Sequence, residues 1–250
     1  MNQIYLCQTC SGRKWQAQET LKHNIESIYN YYSQEKHSIN YHHDWPMCSI
    51  CVVDYNCKDN ITEYILENHP YEVTAGYISI FKVENGEKWH MSKVKNIAMR
   101  LGARLGGSYL VSLDIDNFVT PEEIRLLASC NRFGLSYHGV QGFHDGSCGR
   151  IGCSTSNFFK IKGFREDSPQ AGIHDIDLIR RLSLVSELVE FPPMQPAIVN
   201  SCEEKLSNTD VSVDGYKDTS IRFMFVGNPP EMSESNGTLY HKRYQTTETI

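Results

Sequence analysis

The feature that most constrains the fold of this chain is an alternation of short apolar runs with helical patterns over its first two-thirds. Such alternation is typical of βαβ units around a largely parallel sheet. We predict strands at residues 3–9, 47–54, 77–83, 108–113 and 134–140. We predict helices between them, near residues 13–33, 59–68, 92–105 and 121–130. The pattern therefore indicates an α/β fold with a mostly parallel sheet flanked by helices.

Two of these helices carry start signals of their own. Asp59 is placed to cap the helix at 61–68. Thr120 precedes Pro121 and two acidic residues, which combines a cap, an N1 proline and early negative charge.

The length and composition favour one domain. A chain of 250 residues that is 40% hydrophobic can bury one sizeable core, and we predict a single domain over 1–227. The regular alternation stops after residue 141, where a glycine-rich stretch at 142–152 leads to a further helix at about 174–186. The last segment, 228–250, is polar and is predicted to be a tail or a lid.

Charge and hydropathy exclude several classes of partner. The formal net charge is -6, so the chain lacks the basic excess that binds nucleic acid. The longest apolar runs are of strand length, far from the roughly 20 residues that span a bilayer, so we predict no transmembrane segment. Nine cysteines, most of them inside apolar segments, favour reduced thiols and a cytoplasmic location.

The cysteine pairs Cys7/Cys10 and Cys48/Cys51 have the spacing of half zinc sites. Both pairs fall in predicted strands, where residues three apart point to opposite faces. We therefore expect buried thiols instead of a zinc site.

The carboxylate pair Asp114 and Asp116 follows directly after an apolar run. Ligands of open α/β sheets bind beyond the carboxyl ends of the strands, so residues 9–13, 54–59 and 114–117 should meet in one crevice. Carboxylates at such a place can hold Mn²⁺ or Mg²⁺ and leave positions open for phosphate oxygens. An acidic turn that caps the following helix is the other interpretation.

A second pair, Asp175 and Asp177, lies at the start of an amphipathic helix. Acidic residues are favoured in a first helical turn by the helix dipole, which explains them without any chemistry. A carboxylate at a crevice can also act as the general base that deprotonates a sugar hydroxyl.

The order of these motifs along the chain resembles that of GT-A glycosyltransferases. The motifs are Asp54-Tyr55-Asn56 with Asp59, 89–96, Leu113-Asp114-Ile115-Asp116-Asn117, Gly149-Arg150-Ile151, Gly163-Phe164-Arg165-Glu166 and 175–181. Over residues 4–182 the chain is similar to bacterial family 2 glycosyltransferase-like proteins and to the β-1,4-galactosyltransferase group. The resemblance implies a Rossmann-like GT-A fold with a nucleotide-sugar half at 1–140 and an acceptor half at 141–227.

The resemblance also implies roles for individual residues. Asp175 occupies the place of the catalytic base of inverting enzymes, and Trp89 is equally well explained as a structural residue. The residues implied to bind the nucleotide sugar are Thr9, Arg13, Asp54, Asn56, Lys93, Asn96, Asp114, Ile115 and Asp116. Those implied to line the donor and acceptor pocket are Trp89, His144, Gly149, Arg150 and His174.

The implied metal site is incomplete by comparison with the galactosyltransferase pattern. That pattern continues with a histidine ligand, and no histidine here matches it in sequence. The expected ligands of Mn²⁺ or Mg²⁺ are Asp114, Asp116 and His241, with Asn200 or water as alternatives to the histidine.

Together these features predict transfer of a sugar from a nucleoside diphosphate sugar, with a UDP-sugar favoured, to a hydroxyl of a glycan or glycoconjugate, with inversion. Two other classes remain open. The first is a catalytically silent carbohydrate- or nucleotide-binding protein, which would have the same sheet but no functioning general base. A sugar-phosphate nucleotidylyltransferase needs a longer glycine-rich phosphate loop than the segment Ser11-Gly12-Arg13 provides.

Overall fold

The computed structural model describes residues 2–36, 47–84, 89–139, 149–167, 173–191, 197, 222–226 and 247–249. The strands within these ranges are β1 Gln3–Cys10, β2 Met47–Tyr55, β3 Ile78–Glu84, β4 Tyr109–Ser112, β5 Ser136–Gly139, β6 Arg150–Ser154, β7 Leu188–Phe191, β8 Arg222–Val226 and β9 Thr247–Thr249. The helices are α1 Lys14–Lys36, α2 Ile61–Asn68, α3 Pro70–Thr74, α4 Met91–Arg104, α5 Pro121–Phe133, α6 Thr155–Lys160 and α7 Ile173–Leu182.

The described strands form one sheet in the order β7-β5-β6-β4-β1-β2-β3-β8-β9. Its centre, β4-β1-β2-β3, is parallel throughout, because the first part of the chain alternates strands with crossover helices. Antiparallel pairs flank this centre, with β6 between β4 and β5 on one side and β8 and β9 beyond β3 on the other. The α/β class with flanking helices is confirmed, and the sheet is mixed.

The five predicted strands and the first four predicted helices are all present, with ends within three residues of the prediction. The helix predicted at 174–186 ends at Leu182 and continues as a turn. The elements α3, α6, β6, β7, β8 and β9 were not predicted. Of the segment 228–250, only β9 belongs to the described residues, where it pairs with β8.

A buried apolar cluster covers each face of the sheet. One cluster joins β1 and β2 to α1, α2 and α5, and the other joins the same strands to α4, α6 and α7. Cys10 and Cys48 belong to the first cluster, whereas Cys7 and Cys51 belong to the second. The two members of each cysteine pair therefore face opposite sides of the sheet, as the strand period predicts.

One predicted helix cap is confirmed and one is wrong. Thr120 Oγ1 accepts a hydrogen bond from the N–H of Glu123 at 3.2 Å and caps α5. Asp59 does not cap α2, which begins after Asn60 without a side-chain cap. Asp59 Oδ2 instead accepts the N–H of Lys14 at 2.7 Å, because the loop after β2 lies beside the start of α1.

No helix in the described ranges combines the length and the apolar character that a membrane crossing requires.

Candidate active site

The central parallel strands end at one edge of the sheet, and polar segments meet there. β1 ends at Cys10, and Cys57, in the loop after β2, places its Sγ 3.1 Å from the carbonyl oxygen of Cys10. Arg13 reaches across to Asp116, with 3.3 Å between Nη1 and Oδ2. The three segments that were expected to converge therefore lie together at this edge of the sheet, which we call the crevice.

The backbone of the turn that carries Asp114 and Asp116 is held by α1. Thr20 Oγ1 donates to the carbonyl oxygen of Ile115 at 2.6 Å. Asn24 Nδ2 donates to the carbonyl oxygen of Asn117 at 3.1 Å, and Asn24 Oδ1 accepts the N–H of Val119 at 2.8 Å. These contacts fix the position of the turn relative to α1.

Sequence reasoning did not find Thr20 and Asn24, which are both fully buried. Their signal was available, since Thr20 and Asn24 are small polar residues four positions apart, which places them on the same face of α1 as the apolar Ala17, Leu21 and Ile28.

Asp116 is almost buried, and its two oxygens have different partners. Oδ1 accepts a hydrogen bond from Asn117 Nδ2 at 2.6 Å, and Oδ2 faces Arg13. Burial and the neighbouring charge of Asp114 raise the pKa of Asp116 above its usual range, although Arg13 opposes this rise. Arg13 therefore offsets only part of the effect of burial and of the charge of Asp114 on this carboxylate.

Lys95 joins Asp114 to Asp175 across the crevice. Its Nζ lies 3.2 Å from Asp114 Oδ1 and 3.2 Å from Asp175 Oδ1. Burial lowers the pKa of Lys95, but the two carboxylates outweigh this effect and raise the pKa above its usual range. The lysine is thus a buried cation that links α4 to both carboxylates.

Sequence reasoning named Lys93 on this helix and missed Lys95. The N–H of Lys93 donates to His90 Nδ1 at the start of α4, at 3.3 Å. Lys95 lies two residues further along, on another side of the helix. Only the packing of α4 against the sheet shows which lysine meets the carboxylates.

Asp175 is held between Lys95 and His174, whose Nε2 lies 3.2 Å from Asp175 Oδ2. Burial raises the pKa of Asp175, but Lys95 and His174 together lower it to about 2. Asp177 is directed elsewhere, because its Oδ2 accepts from Arg181 Nη2 at 2.6 Å. Of the two acidic residues that open α7, Asp175 is the one at the crevice.

Gly149 approaches this cluster so closely that a Cβ atom there would displace the side chains around it. A Cβ atom at Gly149 would lie 2.5 Å from Asp114 Oδ2 and 2.9 Å from Lys95 Nζ. Since real Cβ atoms essentially never come so close to other heavy atoms, a substitution would displace the carboxylate or the lysine.

Asp114 and Asp116 offer oxygen donors of the kind that a divalent cation takes. Two carboxylates on one turn are the hard oxygen donors that Mn²⁺ and Mg²⁺ prefer, although Asp114 already contacts Lys95 and Asp116 contacts Arg13. Within the described part of the chain, no group of three or more His, Cys, Asp or Glu side chains is arranged to hold a metal. Asn200 and His241 lie outside the described residues.

Several of the expected ligand-binding residues make contacts within the fold. Asp54 is fully buried, and its two oxygens accept from Thr62 Oγ1 at 2.5 Å and from the N–H of Cys57 at 3.0 Å. Asn96 binds the backbone N–H and carbonyl oxygen of Phe164, each at 2.8 Å. Both residues therefore hold loops at the crevice.

Arg150, which was expected to line the pocket, is fully buried. Its Nε donates to Asn117 Oδ1 at 2.5 Å. Arg150 therefore lies beneath the turn that carries Asp114 and Asp116, which we call the carboxylate turn. The physical reason is that Arg150 begins β6, which pairs with β4 directly below that turn.

Other expected residues lie at or near the crevice edge. Asn56 is exposed and has a φ of 53°, whereas Thr9 is buried near the end of β1. The ring of Trp89 packs edge-on against that of Tyr55, with 5.8 Å between centroids. His144 lies outside the described residues.

No family model and no curated protein matches this sequence. The structure is similar to a mannosyltransferase, PcManGT from Pyrobaculum calidifontis, solved in complex with GDP-Man and Mn²⁺ (TM-score 0.55, 13% identity, 82% of this chain and 59% of that one). It is also similar to S. aureus TarS 1–349 in complex with UDP (TM-score 0.52, 10% identity, 78% and 59%). A third similar structure is GalNAc-T7 with UDP, GalNAc and Mn²⁺ (TM-score 0.55, 12% identity, 77% and 43%).

The chain thus spans about three-fifths of the length of the first two structures and less than half of the third. The crevice with its carboxylate turn lies at the carboxyl edge of the central parallel strands of the shared sheet. The described part of this chain has the GT-A fold of glycosyltransferases, as its motifs predicted.

Proposed function

We propose that this protein is a glycosyltransferase that moves a sugar from a nucleoside diphosphate sugar, a UDP-sugar in the first instance, to a hydroxyl of a glycan or glycoconjugate. The observation that carries the proposal is the convergence of Asp114, Asp116, Arg13 and Asp175 on one crevice of a GT-A fold. Similar structures were solved with GDP-Man, with UDP and with UDP and GalNAc, which supports a nucleotide-sugar donor.

The carboxylate turn and Arg13 would bind the diphosphate side of the donor. Asp114 and Asp116 would hold Mn²⁺ or Mg²⁺, which supplies charge neutralisation to the departing diphosphate. Arg13 lies beside Asp116 and presents a guanidinium, the group that best matches phosphate oxygens. Two of the similar structures were solved with Mn²⁺, which supports a divalent cation here.

Asp175 is the proposed general base, and inversion follows from that role. A pKa of about 2 keeps Asp175 ionised at neutral pH, so it can accept the proton of an acceptor hydroxyl. Lys95 contacts both Asp175 and Asp114, which supports a base that acts beside the proposed donor site. Gly149 and His174 lie against this cluster. We include Trp89 and His144 in the proposed pocket on the family resemblance alone.

A catalytically silent nucleotide-sugar-binding protein is the second candidate function. One observation favours it, because both oxygens of Asp175 already have partners and its low pKa makes it a weak base.

The test is a thermal-shift screen of UDP-sugars and GDP-mannose, with and without Mn²⁺, followed by a donor-hydrolysis assay. A donor at ~100 times its dissociation constant should stabilise the protein by about 2.7 kcal/mol. Release of UDP without an acceptor would support an enzyme, whereas binding without release would favour the silent binder. If no nucleotide sugar shifts the melt under either condition, the donor assignment is wrong.

We also place the protein in a reducing compartment such as the cytoplasm. The cysteines in the described ranges are all free thiols, and most of them are buried in the core.

A further inference from the structure

A chain of buried side chains runs from β5 to the carboxylate turn. Tyr137 Oη donates to Glu123 Oε1 at 2.7 Å, and Glu123 Oε2 lies 3.4 Å from Arg150 Nη1. Arg150 Nε donates to Asn117 Oδ1 at 2.5 Å, and Asn117 Nδ2 donates to Asp116 Oδ1 at 2.6 Å. Four contacts thus connect a tyrosine of the sheet to Asp116.

The pair of Arg150 and Glu123 lies in the core, with exposures of 0% and 2%. A buried ion pair contributes little net stability, because removing both charges from water costs about as much as their attraction returns. Stability alone therefore does not explain the pair. Arg150 also contacts Asn117, and through that contact it affects the carboxylates at the crevice.

This effect follows from the chemistry of the two side chains. A guanidinium only donates hydrogen bonds, so the Asn117 atom that faces Arg150 must be its oxygen. The amide nitrogen of Asn117 is thereby turned toward Asp116 and donates to it. If the amide rotated by half a turn, its oxygen would face the carboxylate and repel it.

We propose that Arg150 is a positioning residue for Asp116 that acts through the side-chain amide of Asn117. The inference rests on the proposed function, in which Asp116 holds the divalent cation. The amide holds Oδ1 of Asp116, which leaves Oδ2 directed toward Arg13 and the crevice. The cation would then meet a carboxylate whose orientation is already set.

Arg150→Lys and Tyr137→Phe form a matched pair of variants to test this role. Lysine keeps a positive charge beside Glu123 but lacks the rigid fork that reaches Glu123 and Asn117 together. Phenylalanine removes only the hydroxyl at the far end, which is four contacts away from Asp116. Mn²⁺ affinity is measured by electron paramagnetic resonance of free Mn²⁺, without any activity assay.

We expect Arg150→Lys to weaken Mn²⁺ binding about 10-fold, within the range known for residues that orient metal ligands. Tyr137→Phe should lower the melting temperature and change Mn²⁺ affinity less than twofold. Asn117→Ala should weaken Mn²⁺ binding as Arg150→Lys does, and the double variant should be no weaker than Asn117→Ala alone. A merely structural role would not produce this lack of additivity.

The inference is overturned if Arg150→Lys binds Mn²⁺ like the wild type, if Tyr137→Phe weakens binding equally, or if the two losses add in the double variant. It is also overturned if the wild type binds no Mn²⁺. Binding of a UDP-sugar, measured by calorimetry in the same samples, is independent of that result. A protein that binds Mn²⁺ as expected in every variant but binds no nucleotide sugar would support the inference and refute the proposed function.

Discussion

At the scale of single residues, Asp175 is the side chain whose chemistry matters most for the proposed reaction. It contacts Lys95 and His174 at the crevice, whereas Asp177 pairs with Arg181 on another side of α7. Both acids lie near the start of α7, and their contacts separate their roles.

Asp175→Asn should abolish sugar transfer and spare donor binding. The amide keeps the shape of the side chain but cannot accept a proton, and loss of a general base costs on the order of 10² to 10⁴ in rate. Transfer and donor affinity are measured on one sample, with Asp177→Asn as the control that should transfer normally. Near-normal transfer by Asp175→Asn would refute the catalytic role, and a loss in Asp177→Asn alone would move the base to Asp177.

At the scale of elements, α1 organises the crevice although most of its length packs on the core. Its first residues bring Arg13 to Asp116, and its buried Thr20 and Asn24 hold the backbone of the carboxylate turn. The turn has little regular structure of its own between β4 and α5, so the helix beside it sets its shape.

Asn24→Ala should destabilise the protein by about 2–6 kcal/mol, because it removes the side-chain hydrogen bonds to two buried backbone groups and each such loss costs about 1–3 kcal/mol. Urea unfolding measures the change. Asn68→Ala is the matched control, since Asn68 is exposed at the end of α2 and should change stability by less than about 0.5 kcal/mol. Equal effects of the two substitutions would show that Asn24 does not hold the turn.

At the scale of the whole molecule, Lys95 connects the two halves of the chain. Lys95 lies on α4, which connects the parallel strands β3 and β4 in the first half of the chain. It contacts Asp114 in that half and Asp175, at the start of α7, in the second half. This buried contact makes the stability of the entire fold sensitive to the ionisation of Asp175.

The sign of the pH effect follows from the lowered pKa. Asp175 titrates near 3.8 in the unfolded chain and at about 2 in the fold, so its ionised form stabilises the protein above pH 3.8, and this contribution is lost as the pH falls toward 2. A shift of this size corresponds to about 2 to 3 kcal/mol. Denaturant unfolding between pH 5 and pH 2 should therefore show a steeper loss for the wild type than for Asp175→Asn. Parallel curves would contradict the ion bridge.

The local sequence determined the elements and part of the site. Apolar runs and their spacing predicted the five strands and four helices of the first part, because those patterns record which face of each element is buried. The strand-end position of Asp114 and Asp116 predicted the crevice, because parallel strands end at one edge. The short strands β6 and β7 were not predicted, because they are defined by the strands with which they pair and not by a pattern in their own residues.

Only the tertiary structure decided which residues act together at the crevice. Lys95 meets Asp175 across 80 positions of the chain, and Arg150 reaches Asn117 across 33. Such contacts depend on how helices pack and in which direction strands pair, and no short stretch of sequence carries that information. The sequence by itself therefore determined the α/β class, the central parallel strands and the place of the carboxylates at their ends, whereas packing determined the remaining strand order and the charges and hydrogen bonds that surround the carboxylates.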